Sequence, residues 1–114
     1  MFFPPGSAIV TFEVSDERYR VLVIDPANVA IANELLAHES DPKIPNGVVV
    51  PGTDVNEGWS WHIDPATFEF ADMTTEVCDG RPSYVENGTI SGDRFCPWTA
   101  EVVEVDPSPI SAPS

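Results

Sequence analysis

Residues 8–24 read AIVTFEVSDERYRVLVI, and residues 25–36 continue DPANVAIANELL. In the first stretch Val10, Phe12 and Val14 alternate with Thr11 and Glu13, the period-two pattern of a strand with one face in a core. Ser15-Asp16-Glu17 supplies polar turn residues, and Tyr19 to Ile24 reads as a second strand, so the stretch is a hairpin. The period then changes. Asp25 suits an N-cap, whose carboxylate accepts backbone N–H groups, and Pro26 fits the first helical position, where no N–H is needed. Val29, Ala32, Leu35 and Leu36 recur at helical spacing. The spacing predicts a helix over about 26–38, stopped by Ser40-Asp41-Pro42. A hairpin followed by one helix predicts an α+β or mainly β domain. Its form is an antiparallel sheet or small sandwich with that helix packed across it.

The rest of the chain supplies further short strands. Residues 40–47, SDPKIPNG, read as a loop with two prolines and an Asn-Gly turn. Val48 to Val50 form a strand stopped by Pro51-Gly52, and residues 53–58, TDVNEG, form another loop. Trp59, Trp61 and Ile63 alternate with Ser60 and His62. Asp64-Pro65 turns the chain into Phe68 and Phe70, which share a face. Met73 to Cys78 reads as extended or as the start of a short helix, and residues 79–94 as loop with one helical turn near Tyr84-Val85-Glu86. Thr99 to Val105 is the last strand. Residues 1–7 read as a flexible leader, 8–105 as one domain and 106–114, DPSPISAPS, as a Pro/Ser-rich tail. The tetrapeptide Ile24-Asp25-Pro26-Ala27 recurs as Ile63-Asp64-Pro65-Ala66, two uses of one capping-and-turn chemistry.

Composition narrows the function classes. The 114 residues carry 19 acidic and 5 basic side chains, a formal net charge of −14. Nucleic acid is excluded as a partner, because binding it requires Lys and Arg to displace counterions from phosphate. An anionic membrane surface is excluded on the same ground, and no apolar run reaches the ~20 residues that span a bilayer. Residues 1–6, MFFPPG, lack the basic start and unbroken apolar stretch of a signal peptide. Two cysteines, Cys78 and Cys96, enclose roughly 17 residues. An even count fits one disulfide in an oxidising compartment, while two free thiols would fit a cytosolic protein. The single lysine and the acidic surface suit a secreted protein.

From Gly58 to Trp98, the segments GWSWHIDP, EVCD, Tyr-Val-Glu and RFCPW precede a valine-rich strand. In this order they resemble a small family of secreted microbial domains named for the amino-terminal domain of the slime-mould protein BP seventy-four. The match in order and spacing covers residues 12–105, including the hairpin and the DPANVAIANELL helix. The resemblance implies a secreted, β-rich domain with one helix and a Cys78–Cys96 disulfide. It implies no catalytic residues. This chain departs from the family pattern after EVCD, where Gly80-Arg81-Pro82 and Asn87-Gly88 shorten the helix that other members carry. Calmodulin-type labels attached to members do not fit, since the sequence has no EF-hand loop.

Among residues able to carry chemistry, His62 stands first. It lies on the strand face opposite the tryptophans, and Asp64 two residues on points the same way, so the pair suits acid–base or metal-dependent hydrolysis. No GxSxG or free nucleophile accompanies it. His38 falls at the helix end, where a cation complements the macrodipole; packing of the helix beside the strand would make His38, His62 and Asp64 a metal set. Asp54, Asn56 and Glu57 place three oxygen-bearing side chains in one loop, and Asp72 and Asp79 add others, so calcium is the one cofactor the chain leaves room for. Trp61 and Trp98 are expected in the core, and Trp59 at its margin. Lys43, Ile44, Pro45 and Asn46 sit in a proline-stiffened loop of the kind a protease inhibitor presents, because preorganisation lowers the entropy lost on binding. These features predict a secreted, non-enzymatic binding module that acts through the 41–47 and 52–58 loops, with Lys43, Ile44, Pro45, Asn46 and Trp59 as binding residues. Its partner is a protein, a protease among the classes it would suit. The alternatives are a hydrolase built on His62 and Asp64 and a calcium-stabilised structural domain.

Overall fold

The structure is a computed structural model and describes residues 6–90 and 92–107. Strands β1 (Ala8–Val14) and β2 (Glu17–Val23) form the expected hairpin, with Val10 opposite Val21 and Phe12 opposite Tyr19. The last strand, β7 (Glu101–Pro107), adds antiparallel to the other edge of β1, giving the order β2-β1-β7. Helix α1 (Pro26–Leu36) packs against β7 and β2. Asp25 caps it through Ala27 N–H, and Asp64 repeats the arrangement on Ala66 N–H at a 3-10 turn, Pro65–Thr67.

The second sheet is organised on β3 (Ile44–Pro51), which pairs antiparallel with β4 (Trp61–Ile63), β5 (Glu69–Ala71) and β6 (Arg94–Phe95). A short helix, α2 (Pro82–Glu86), lies between β5 and β6 in sequence. Its first turn is capped from across the fold, since the Glu17 carboxylate accepts both Ser83 N–H and Ser83 Oγ–H at 2.8 Å. The fold is thus mostly β, with two antiparallel sheets, one long helix and the Cys78–Cys96 disulfide. Among the described residues, no helix is long and apolar enough to cross a membrane.

The core is shared by both sheets and the helix. Phe12, Tyr19, Val10 and Val21 from the first sheet meet Trp61, Ile63 and Phe95 from the second and Phe68 from the turn before β5, and Ala32 closes the helix side. Each such large apolar side chain contributes about 1.5–3 kcal/mol by leaving water.

Three expectations are corrected, and the end of the helix is defined more closely. The loop over 40–47 ends at Lys43, because Ile44–Asn46 pair with β5 and Gly47 with β6. Prolines stiffen φ at a value an extended strand also adopts, and Pro45 is wholly buried. Asn46-Gly47 is not a turn: Gly47 is required because a Cβ there would collide with Ile63 Cγ2 of the neighbouring strand. The helix stops at Leu36, and His38 sits beyond its cap with φ 59°, the left-handed conformation that ends helices. Trp98 is 41% exposed rather than core, its indole N–H donated to Thr74 Oγ1. The segment before Cys78 closes in a 3-10 turn, Glu76–Cys78. The leader and tail expected at 1–7 and 106–114 fall mostly outside the described residues; Ser7 is buried, and Asp106 and Pro107 belong to β7.

Candidate functional site

Loop 52–58, the first part of the connection between β3 and β4, carries three of the predicted functional side chains, Asp54, Asn56 and Glu57. It starts at Gly52, whose φ of 106° only glycine adopts without strain, and passes Asp54 at φ 47°. Internal bonds tighten it: Asn56 N–H reaches Thr53 O at 2.8 Å, Gly52 N–H reaches Ser60 O at 2.8 Å, and Thr53 Oγ–H reaches Trp59 O at 2.8 Å.

Asn56 anchors the loop to the body. Its side chain is 0% exposed. Oδ1 accepts Arg20 N–H of β2 at 2.8 Å, and Nδ2 donates to Trp61 O of β4 at 2.9 Å. One buried amide therefore joins a strand of each sheet to the loop, and both ends of it are satisfied. Trp59 adds a tether by donating its indole N–H to Arg18 O at 2.8 Å.

His62 is committed to the same loop. Its Nδ1 lies 2.7 Å from Gly52 O, and its Nε2 lies 3.5 Å from Asp54 Oδ2. A backbone carbonyl accepts only, so Nδ1 carries a proton and Nε2 faces the carboxylate. Asp64, expected as the histidine's partner, instead caps the turn that follows β4. The expected His62–Asp64 pair is replaced by His62–Asp54, because loop 52–58 folds back over the strand.

The calcium candidates separate in the same way. Asn56 points inward, Asp54 meets His62, and Glu57 lies 4.0 Å from the Arg20 guanidinium. Asp72 pairs with Lys43 at 2.6 Å, and Asp79 accepts Trp98 N–H. Among the described residues no three His, Cys, Asp or Glu side chains gather where one metal ion could be held, so His38, His62 and Asp64 do not converge either. His38 and Lys43 border an apolar groove of about 380 Å³ between the end of α1 and β7.

The electrostatics follow from these bonds. The hydrogen bond and charge of Asp72, helped by Asp41 and Glu34, raise the Lys43 ammonium above its ordinary value. Ser60 N–H and Oγ–H hold the Glu86 carboxyl below its ordinary value. Burial raises Tyr19 well above 10.0.

Loop 52–58 also overhangs the outer face of the first sheet and encloses a cleft of about 380 Å³. Asp54, Val55 and Glu57 face Thr11, Arg20, Glu104 and Asp106 across it. The last two acids and Thr11 are not among the residues that sequence reasoning singles out. Their alternation marks them as outward-facing, but nothing local says that β7 pairs with β1 or that a distant loop covers them.

A model of the N-terminal domain family of BP seventy-four matches residues 6–109. No curated protein and no solved structure matches the chain.

Proposed function

The chain belongs to the BP seventy-four N-terminal domain family, and we propose that it is a secreted, non-enzymatic binding module that meets a protein partner through loop 52–58. The supporting observation is Asn56: a wholly buried amide holds the loop in one shape from beneath, leaving Asp54 and Glu57 on the outside. A loop already ordered loses less entropy when a partner docks. His62 Nδ1 is held by Gly52 O of that loop, which favours a structural part for the ring over acid–base work. The disulfide supports an oxidising, extracellular setting, where such bonds persist. The reading rests on 52–58 rather than 41–47, because Pro45 and Gly47 are buried in β3 and Lys43 is tied to Asp72.

The test is affinity capture from the medium surrounding the producing cells, with immobilised wild type, Val55→Asp/Glu57→Lys and Lys43→Ala. A stoichiometric protein retained by wild type and Lys43→Ala but lost from the loop variant is the expected result. Equal retention by the loop variant would overturn the assignment.

A further inference from the structure

We infer that Asn87-Gly88 is a site of self-modification, at which the Asn87 side-chain amide is lost and the residue becomes aspartate or isoaspartate. The inference stands apart from the binding-module reading and needs no partner.

The chain holds two Asn-Gly pairs, Asn46-Gly47 and Asn87-Gly88. The chemistry open to both is the same. The glycine nitrogen attacks the asparagine Cγ, its proton passes to solvent, and the Cγ–Nδ2 bond breaks to release ammonia. The cyclic succinimide so formed then adds water. Opening at Cγ gives aspartate, and opening at the main-chain carbonyl gives isoaspartate. Water is the sole co-reactant. Glycine matters because no Cβ shields the attacking nitrogen.

The fold treats the two pairs differently. Asn46 and Gly47 lie inside β3, where Asn46 pairs with Glu69 of β5 and Gly47 with Phe95 of β6. Gly47 is buried, with Ile63 so close that a Cβ would collide with it. Turning its nitrogen toward Asn46 Cγ would break the sheet at that point. Asn87 and Gly88 instead close α2, a helix of five residues, too short to persist without its tertiary contacts. Asn87, Gly88 and Thr89 are all exposed. Gly88 has φ 82°, and a Cβ there would meet nothing within 4 Å. Its N–H donates to Val85 O at 3.3 Å, a longer bond than the 3.0 Å from Asn87 N–H to Ser83 O. Freeing this nitrogen disturbs one helix end and no sheet.

Thr89 adds an independent observation. Its N–H lies 3.0 Å and its hydroxyl 2.6 Å from Asn87 Oδ1. An N–H only donates, so the atom it faces is the oxygen, and both donors sit where negative charge builds as Cγ is attacked. Nδ2, the leaving nitrogen, takes part in neither bond. Asn46 Oδ1 also has a donor, Arg94 Nη1 at 3.2 Å, but there the sheet withholds the nucleophile. The product at 87 carries a new negative charge next to Glu86, which holds Ser60 N–H and Oγ–H. The change therefore falls beside the contact between α2 and the approach to β4.

The experiment incubates the full chain at neutral pH and physiological temperature. Both sites are followed by peptide mapping that separates asparagine, aspartate and isoaspartate. Conversion at Asn87 should run at least about tenfold faster than at Asn46. In urea concentrated enough to unfold the chain, the two rates should converge. Thr89→Val, which keeps the side-chain shape and removes the hydroxyl, should slow Asn87 severalfold and leave Asn46 unchanged. Equal rates at the two sites in the folded chain would overturn the proposal. So would the same preference persisting in urea, which would place the selection in local sequence and not in the fold. An unchanged rate in Thr89→Val would overturn the part given to its hydroxyl.

Discussion

His62 turns Nε2 toward Asp54, 3.5 Å away on the preceding loop, and not toward Asp64 on the chain just beyond its own strand. The two carboxylates thus do different work, one bracing a loop and the other capping a turn. Asp54→Ala should change the His62 ring shifts in NMR and loosen 52–58. Asp64→Ala should cost about 1 kcal/mol by loss of the cap and leave the ring shifts in place. The reverse pattern would restore the pairing that strand alternation alone predicts.

Asn56→Ala should be among the most damaging single changes outside the aromatic core. It strands Arg20 N–H and Trp61 C=O, both bonded to the amide in the intact protein, and each unsatisfied buried group costs about 1–3 kcal/mol. A loss of roughly 2–4 kcal/mol in urea unfolding is expected, with no change in the overall fold.

How far these relationships are legible depends on how local their physics is. The 8–24 hairpin, the Asp25 and Asp64 caps and the Trp59–Ile63 alternation are visible because each needs only near neighbours in sequence. Pro45 misleads, since a proline-rich stretch looks like loop until β5 and β6 supply partners for it. Asn56 looks like a calcium ligand because its polar partners, Arg20 N–H and Trp61 O, come from different sheets. Thr11 looks like an ordinary solvent-facing strand residue until loop 52–58 covers it.

Tyr19 sets an alkaline limit on stability. Burial raises its folded pKa well above the value of 10.0 for a free tyrosine, so above pH ~10 the unfolded chain loses a proton that the folded protein keeps. The contribution is fully present below pH ~10 and is lost as pH rises through the folded pKa. Unfolding free energy should fall over that range in wild type, and Tyr19→Phe should flatten the decline. An unchanged slope in the variant would refute the assignment.

The Cys78–Cys96 disulfide ties the 3-10 turn at Glu76–Cys78 to the end of β6, where Cys96 N–H also donates to Cys78 O at 2.8 Å. Closing a loop of this length contributes roughly 3 kcal/mol through the unfolded state. Cys78→Ser/Cys96→Ser should lose about that amount in urea unfolding; an unaltered midpoint and slope would contradict it.

The central claim is that loop 52–58 is held in its binding shape by Asn56 before any partner arrives. Backbone ¹⁵N relaxation of the free protein tests it most directly. Order parameters over 52–58 near those of the flanking strands, about 0.85, are predicted; values below about 0.6 would show a flexible loop and contradict the account.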